Sequence, residues 1–289
     1  MKLLVTGATG KLGSKIVDKL LETVPAEQLA VSVRNPEKAA KLKERGVDVR
    51  QGNFDEPETL DKAFVGIDRL LIVSTDGDNE TRIPQHANAV AAAQRVGVSF
   101  IAYTSVVNAQ ESQNFLAPTH RATEQAIQKT GIPYAFLRNN WYLENETSSI
   151  QGVLAGAPWL TSAEDGKVGW APQQDYATAA AAVLTEEGHE NAIYELSGNL
   201  FTQAEFAAVL GEVIGKEVPV QQVDDATYSK TMSEAGLPDF LLPMLVGIQQ
   251  GIREGTLDVE SQGFEKLLGR PVTPLKEGLT QLVGAITAN

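Results

Sequence analysis

The chain has 289 residues, 43% hydrophobic and 21% charged, which suits one large α/β domain with a smaller appendage or two modest domains. It has no cysteine, so disulfides, thiolate nucleophiles and Cys-ligated metals are excluded; redox chemistry must come from a bound cofactor, and a reducing cytoplasm is the expected setting. A formal net charge of −13 argues against nucleic acid or anionic membrane as partner, and no apolar run reads as a membrane span or a signal peptide.

Residues 2–6 (KLLVT) read as a short buried strand, and residues 11–21 as a helix with Leu12, Ile16, Val17, Leu20 and Leu21 on one face. Gly7, Gly10 and Gly13 stand at the junction between them. There a residue without Cβ lets the backbone turn tightly and approach a phosphate, while the unpaired N–H groups and positive dipole end of the helix face negative charge. The GxxGxxG turn therefore reads as a cradle for a dinucleotide pyrophosphate, although the better-known spacing is GxGxxG. The alternative is a tight turn without a ligand.

Further strands are expected at residues 29–34, 47–54, 69–75, 99–107 and 134–138, with helical segments between them, notably 57–67, 83–96 and 118–131. Six strand–helix alternations imply an α/β fold with a doubly wound, Rossmann-type parallel sheet and ligands at the carboxyl ends of its strands. Beyond Asn140 the alternation breaks at a Gly/Pro-containing stretch. A helix at 176–186, a strand at 193–197 able to rejoin the sheet, a helix at 202–214, a short strand at 218–223 and a mostly helical remainder follow. The expected division is a dinucleotide-binding domain at 1–150 and a smaller, discontinuous substrate region at 151–289, with about 171–199 packing back on the sheet.

In an NAD-preferring site an acid at the end of the second strand binds the ribose hydroxyls, but here Arg34 stands in that place. A guanidinium makes charge-assisted hydrogen bonds to a 2′-phosphate, so the cofactor reads as NADP(H); otherwise Arg34 is a solvated residue opening a polar turn. Lys11 either adds charge to the same phosphate or is solvated. Phe54, at the end of strand three, stands where an adenine ring packs, and Ser74 and Thr75 close strand four near the middle of the cofactor, unless they are only turn residues. At the end of strand five, alternation points Tyr103 and Ser105 one way and Thr104 the other. His120 is the histidine expected near the reacting end, as a proton donor or as a hydrogen-bonded helix residue. Trp141 and Tyr142 either wall an aromatic substrate or belong to the core. No spacing reads as a metal site.

The segments TGATGKLG, VSVRNPEKA, QGNFDEPETL, FIAYTS and LRNNWYLEN, in this order, resemble the NmrA-like branch of the atypical short-chain dehydrogenase/reductases. Within it they are similar to bacterial NADPH:quinone oxidoreductases and triphenylmethane dye reductases. DYATAAAAVL, YELSG and LLGRPVTPLKEGL extend the resemblance over essentially the whole chain. The resemblance implies that Gly7, Ala8, Thr9, Gly10, Lys11 and Leu12 hold the pyrophosphate and Arg34 the 2′-phosphate. It also implies that Ser74 and Thr75 hold the middle of the cofactor, and Asn139, Asn140, Trp141 and Tyr142 the nicotinamide and substrate edge.

Typical short-chain dehydrogenases pair a Tyr with a Lys four residues later, which lowers the phenol pKa so that it can protonate an alkoxide. None of the six tyrosines here has a lysine at that spacing. A simple ketone is then a poor acceptor, whereas a quinone yields a delocalised, weakly basic anion and a cationic dye a neutral product. The expected activity is an NADPH-dependent reductase acting on a quinone or similar aromatic acceptor, with Asn139, Asn140 and Trp141 shaping the pocket and Tyr103, Ser105 or His120 assisting protonation. The alternative is an NADP(H)-sensing regulator of the NmrA-like kind, without turnover; an epimerase or dehydratase acting on a nucleotide sugar is disfavoured by the same missing pair. The oligomeric state is left open, with a homodimer as one option.

Overall fold

Four consecutive buried residues make β1 (Leu3–Thr6) a strand covered on both faces, and the computed structural model, which describes residues 1–261 and 263–288, builds outward from it. Thus 151–289, the expected substrate region, includes two residues, 262 and 289, outside that description. The glycine turn leads into α1 (Lys11–Leu20), followed by β2 (Leu29–Val33), α2 (Ala40–Glu44), β3 (Asp48–Gln51), α3 (Pro57–Phe64) and β4 (Arg69–Ile72). Next come α4 (Asn79–Val96), β5 (Phe100–Val106), α5 (Ala117–Thr130) and β6 (Tyr134–Asn139).

The chain then runs through β7 (Trp141–Tyr142), α6 (Thr147–Leu154), β8 (Trp159–Thr161), β9 (Lys167–Val168), β10 (Trp170–Ala171), α7 (Gln173–Thr185) and β11 (Ala192–Leu196). It ends with β12 (Phe201–Thr202), α8 (Gln203–Ile214), β13 (Val220–Gln222), α9 (Asp225–Glu234), α10 (Leu242–Arg253), α11 (Gly263–Leu268) and α12 (Leu275–Thr287).

Seven strands pair in parallel in the order β11-β6-β5-β4-β1-β2-β3. The order reverses direction between β1 and β4, so the crevice for a ligand opens where these two strands end. Alternation along β1 divides the core: Leu3 and Val5 join residues of α1 and α7 on one face, and Leu4 joins residues of α3, α4 and β5 on the other. A separate core is built around Trp159, Trp170, Phe206 and Leu279 in the C-terminal part. α7 packs on α1, and β11 extends the sheet beside β6, so residues from the later half of the chain complete the sheet layers.

Three boundaries differ from the sequence pattern for local reasons. β3 stops at Gln51, where Gly52 lies so close to Ser32 that a Cβ would meet its Oγ at 2.2 Å, and Asn53 then turns back to bridge Glu56. α4 begins at Asn79 instead of residue 83, because Asp78 caps it by accepting from the Thr81 N–H at 2.7 Å. The stretch after Asn140 contains α6 and short strands paired two by two, β7 with β10, β9 with β12 and β8 with β13. Elements of two or three residues have no period to read.

Candidate cofactor and acceptor site

Gly7 leaves β1 with φ +62°, a left-handed conformation that suits glycine, and its N–H donates to the Ser32 carbonyl at 3.2 Å. The Gly10 N–H closes the turn on the Gly7 carbonyl at 2.9 Å. A Cβ on Gly13 would stand 2.2 Å from that same carbonyl oxygen, so the helix rests directly on the turn. α1 opens without a side-chain cap and without an acid in its first turn. Its free N–H groups and positive end are therefore available to an anion.

Around this turn Gly7, Thr9, Gly10 and Lys11 are exposed, whereas Ala8 and Leu12 are buried and offer only backbone. Arg34, one residue beyond β2, is exposed and makes no hydrogen bond or ion pair among the described residues. A cradle that a Cβ would fill, an uncapped helix start and a free guanidinium fit the pyrophosphate and 2′-phosphate of NADP(H).

The end of β4 is tied down on the protein side. The N–H groups of Val73, Ser74 and Thr75 donate to Thr6 Oγ1 (2.9 Å), Thr104 Oγ1 (2.9 Å) and His86 Nε2 (3.0 Å). Ser74 and Thr75 are half-buried. The Thr75 hydroxyl also lies at His86 Nε2, 3.1 Å away, while the Ser74 hydroxyl has no partner among the described residues. Phe54 is buried in the adjoining core, its ring edge-on to His86 at 6.3 Å, and its carbonyl accepts from Asn88.

Because His86 Nε2 accepts an N–H, its proton resides on Nδ1 and is donated to Thr123 Oγ1 at 2.8 Å. Arg82 lies 3.3 Å from His120 Nε2, and a guanidinium only donates, so His120 carries its proton on Nδ1, 2.8 Å from the Tyr103 hydroxyl. Burial, with the Arg82 charge adding to it, pushes His86 down to about 3. His120 is held well below the ordinary imidazole range by burial first and then by Arg82 and His86, while burial raises the Tyr103 phenol. Tyr103 has no exposed surface and His120 is buried. Ser105 is buried too, and its Oγ donates to Glu124 Oε1 at 2.7 Å. The structure thus brings Tyr103 and His120 together, with Ser105 on the same face of β5, but in the layer beneath α4 and α5.

At the end of β6 the side chains are knotted together across long sequence distances. Arg138 pairs with Glu124 at 2.7 Å and Glu195 at 2.8 Å, joining β6 to α5 and β11. Asn139 Nδ2 donates to the Tyr142 hydroxyl at 2.9 Å, whereas its buried Oδ1 has no partner among the described residues. An unpaired buried acceptor is costly, and a carboxamide N–H such as that of nicotinamide would satisfy it. Asn140 Nδ2 donates to Ser197 Oγ and the Leu257 carbonyl, each at 3.0 Å, and so stitches the C-terminal part to the sheet. Tyr142 lies edge-on to Tyr176 with centroids 5.0 Å apart, and burial pushes its phenol up to about 12.

Trp141 is half-buried, and its indole Nε1 donates to Glu146 Oε1 at 3.0 Å. Trp170 donates to the same oxygen at 3.0 Å. Burial raises the Glu146 carboxyl, against the lowering effect of the two indoles. Glu146 was not legible from the sequence: Trp170 stands 24 positions away from it, and no periodicity links them.

The NmrA-like family model matches residues 1–254. Quinone oxidoreductase 2 of Escherichia coli (strain K12) is 40% identical over 279 residues, covering 96% of this chain and 97% of that protein. Among solved structures, the Citrobacter sp. triphenylmethane reductase complexed with NADP(H) superposes with a TM-score of 0.93 at 42% identity, covering 97% of this chain and all of the other. The Escherichia coli NADPH-dependent quinone oxidoreductase complexed with NADPH gives 0.93 at 40% identity over 97% of this chain and 99% of that one. With the glycine cradle and seven-stranded parallel sheet already in place, these matches settle the lineage: the chain belongs to the NmrA-like family.

Proposed function

We propose that the chain is an NADPH-dependent reductase that passes a hydride to a quinone or a similarly conjugated, electrophilic acceptor. The observation that carries the reading is the uncapped start of α1, seated on Gly7 and Gly13, beside an Arg34 without a partner among the described residues. Bound NADPH supplies the hydride. The chain's residues would bind and orient it: the N–H groups of Lys11, Leu12 and Gly13 would hold the pyrophosphate, and the Arg34 guanidinium the 2′-phosphate. The Ser74 hydroxyl meets the cofactor's middle beside Thr75, and Asn139 Oδ1 receives the carboxamide.

The acceptor class follows from proton supply. No tyrosine has a lysine four residues on, and the Tyr103 phenol is sealed in the core with its pKa raised. A simple alkoxide would find no tyrosine–lysine pair here, whereas a hydroquinone anion is weakly basic and does not need that pair. Trp141 and Tyr142, both half-buried at the end of β6, supply an aromatic wall for a planar acceptor. The similarity to the quinone oxidoreductase and the triphenylmethane reductase supports the same class. A small aromatic acceptor and a cytoplasmic setting complete the reading; no helix is long and apolar enough to cross a membrane among the described residues.

The test is NADPH oxidation by the purified chain with and without a benzoquinone. Quinone-dependent turnover, faster with NADPH than NADH, is expected; none above a heat-killed control overturns the reading.

A further inference from the structure

The Glu146 carboxyl is unusual in how its two oxygens are used. Oε1 accepts both indole N–H groups, from Trp141 on β7 and Trp170 on β10, each at 3.0 Å. Oε2 has no hydrogen-bond partner among the described residues, and the Glu146 side chain is only half-buried. An indole N–H only donates, so Oε1 is fixed as an acceptor and the proton of the neutral acid must sit on Oε2. Trp141 is part of the proposed acceptor wall, and its hydrogen bond to Glu146 puts this carboxyl against that wall.

The geometry points to Glu146 as the proton donor to the reduced acceptor, acting through Oε2, the oxygen that the two indoles leave free. This rests on the hydride-to-quinone reading. A quinone that has gained a hydride carries both electrons and one hydrogen as a hydroquinone monoanion. The Oε2–H bond breaks as the new O–H bond forms on that oxyanion, giving the hydroquinone and a Glu146 carboxylate, which regains its proton from water. The carboxylate formed is received by the same two indole donors.

Burial disfavours the charged form of this carboxyl. Burial raises the carboxyl pKa, and no charged group enters beside the indoles as a cause. Tyr228 on α9 is a titratable neighbour, its phenol pushed up to about 12, chiefly by burial. Glu144, on the same turn, accepts the Gln173 N–H at 2.9 Å. On α12, packed across this turn, Lys276 pairs with Glu212 at 2.9 Å and Glu277 accepts from Gln281 at 3.3 Å, both at the surface.

The test is Glu146→Gln, which keeps an Oε1 acceptor for both indoles but has no acidic proton. Quinone turnover is expected to fall on the order of 100-fold. Reduction of a cationic triarylmethane dye, which ends neutral and takes up no proton, should change less than about twofold. The wild-type quinone rate should fall as pH rises through the carboxyl pKa, and E146Q should lack that limb. In the cofactor-free protein, tryptophan emission should titrate with the same pKa in wild type and not in E146Q. Equal loss with both acceptors, an unchanged quinone rate, or emission that titrates alike in both proteins overturns the inference alone. A wild-type chain that reduces neither acceptor overturns the reductase reading and this inference with it.

Discussion

The two ends of the proposed site are built by opposite means. At the glycine turn the work is done by backbone: α1 rests on the Gly7 carbonyl, where a Gly13 Cβ would stand 2.2 Å away, and the neighbouring Arg34 is unpaired among the described residues. At the end of β6 it is done by side chains from distant segments, Arg138 with Glu124 and Glu195, Asn140 with Ser197 and Leu257, Trp141 and Trp170 with Glu146. A cofactor shared by many enzymes is held by groups that any side chain would obstruct. The acceptor end is held by exchangeable pairs, which is where a fold can change its chemistry without losing its cofactor.

Substitutions at the two ends should therefore fail differently. A large loss of cofactor binding is expected for Gly13→Val, whose side chain has no room against backbone. NADPH affinity should fall by on the order of 100-fold, about 2.7 kcal/mol, measured by fluorescence titration with circular dichroism to check the fold. An unchanged affinity would break the backbone half of the contrast. Glu124→Ala leaves Arg138, whose side chain is 10% exposed, with only the half-exposed Glu195 carboxylate. Denaturant unfolding should show a loss of about 3 kcal/mol, with NADPH affinity of the remaining folded protein little changed.

Arg34→Ala sharpens the contrast at the cofactor end. NADPH binding should weaken by about 1.5–3 kcal/mol while NADH binding is nearly unaffected, because a charge-assisted bond to the 2′-phosphate is lost. Equal losses would remove Arg34 from that role.

The most gradual effect, spread over several pH units, concerns His86, which holds the Thr75 N–H between the two ends. Folded, it resists protonation down to about 3, whereas unfolded it takes a proton near 6.5. Below 6.5 the unfolded state binds the extra proton, so stability falls as pH falls, by up to about 1.4 kcal/mol per pH unit until the folded histidine also titrates. Above 6.5 the contribution is constant. Comparing unfolding at several pH values in wild type and His86→Gln isolates this slope; parallel curves would mean that His86 is not buried neutral.

The same contrast explains what could be read from the sequence. The doubly wound parallel sheet follows from alternation and the glycine turn from three residues in one short segment, both local signals. Alternation also puts Tyr103 and Ser105 on one face of β5, but period two cannot say that α4 and α5 cover that face, sealing the phenol against His120 and giving the hydroxyl to Glu124. The β7–β10 pair and the Trp170 half of the Glu146 clamp depend on residues 24 or more positions apart, a separation at which composition and period carry no information.

The most direct test of the account follows hydride itself, with NADPH deuterated at its transferable position and a benzoquinone as acceptor. The account predicts quinone-dependent NADPH consumption, one hydroquinone formed for each NADPH lost, and a slower rate with deuterium. A chain that binds NADPH tightly yet consumes none in the presence of quinone would contradict it and leave a cofactor sensor in its place.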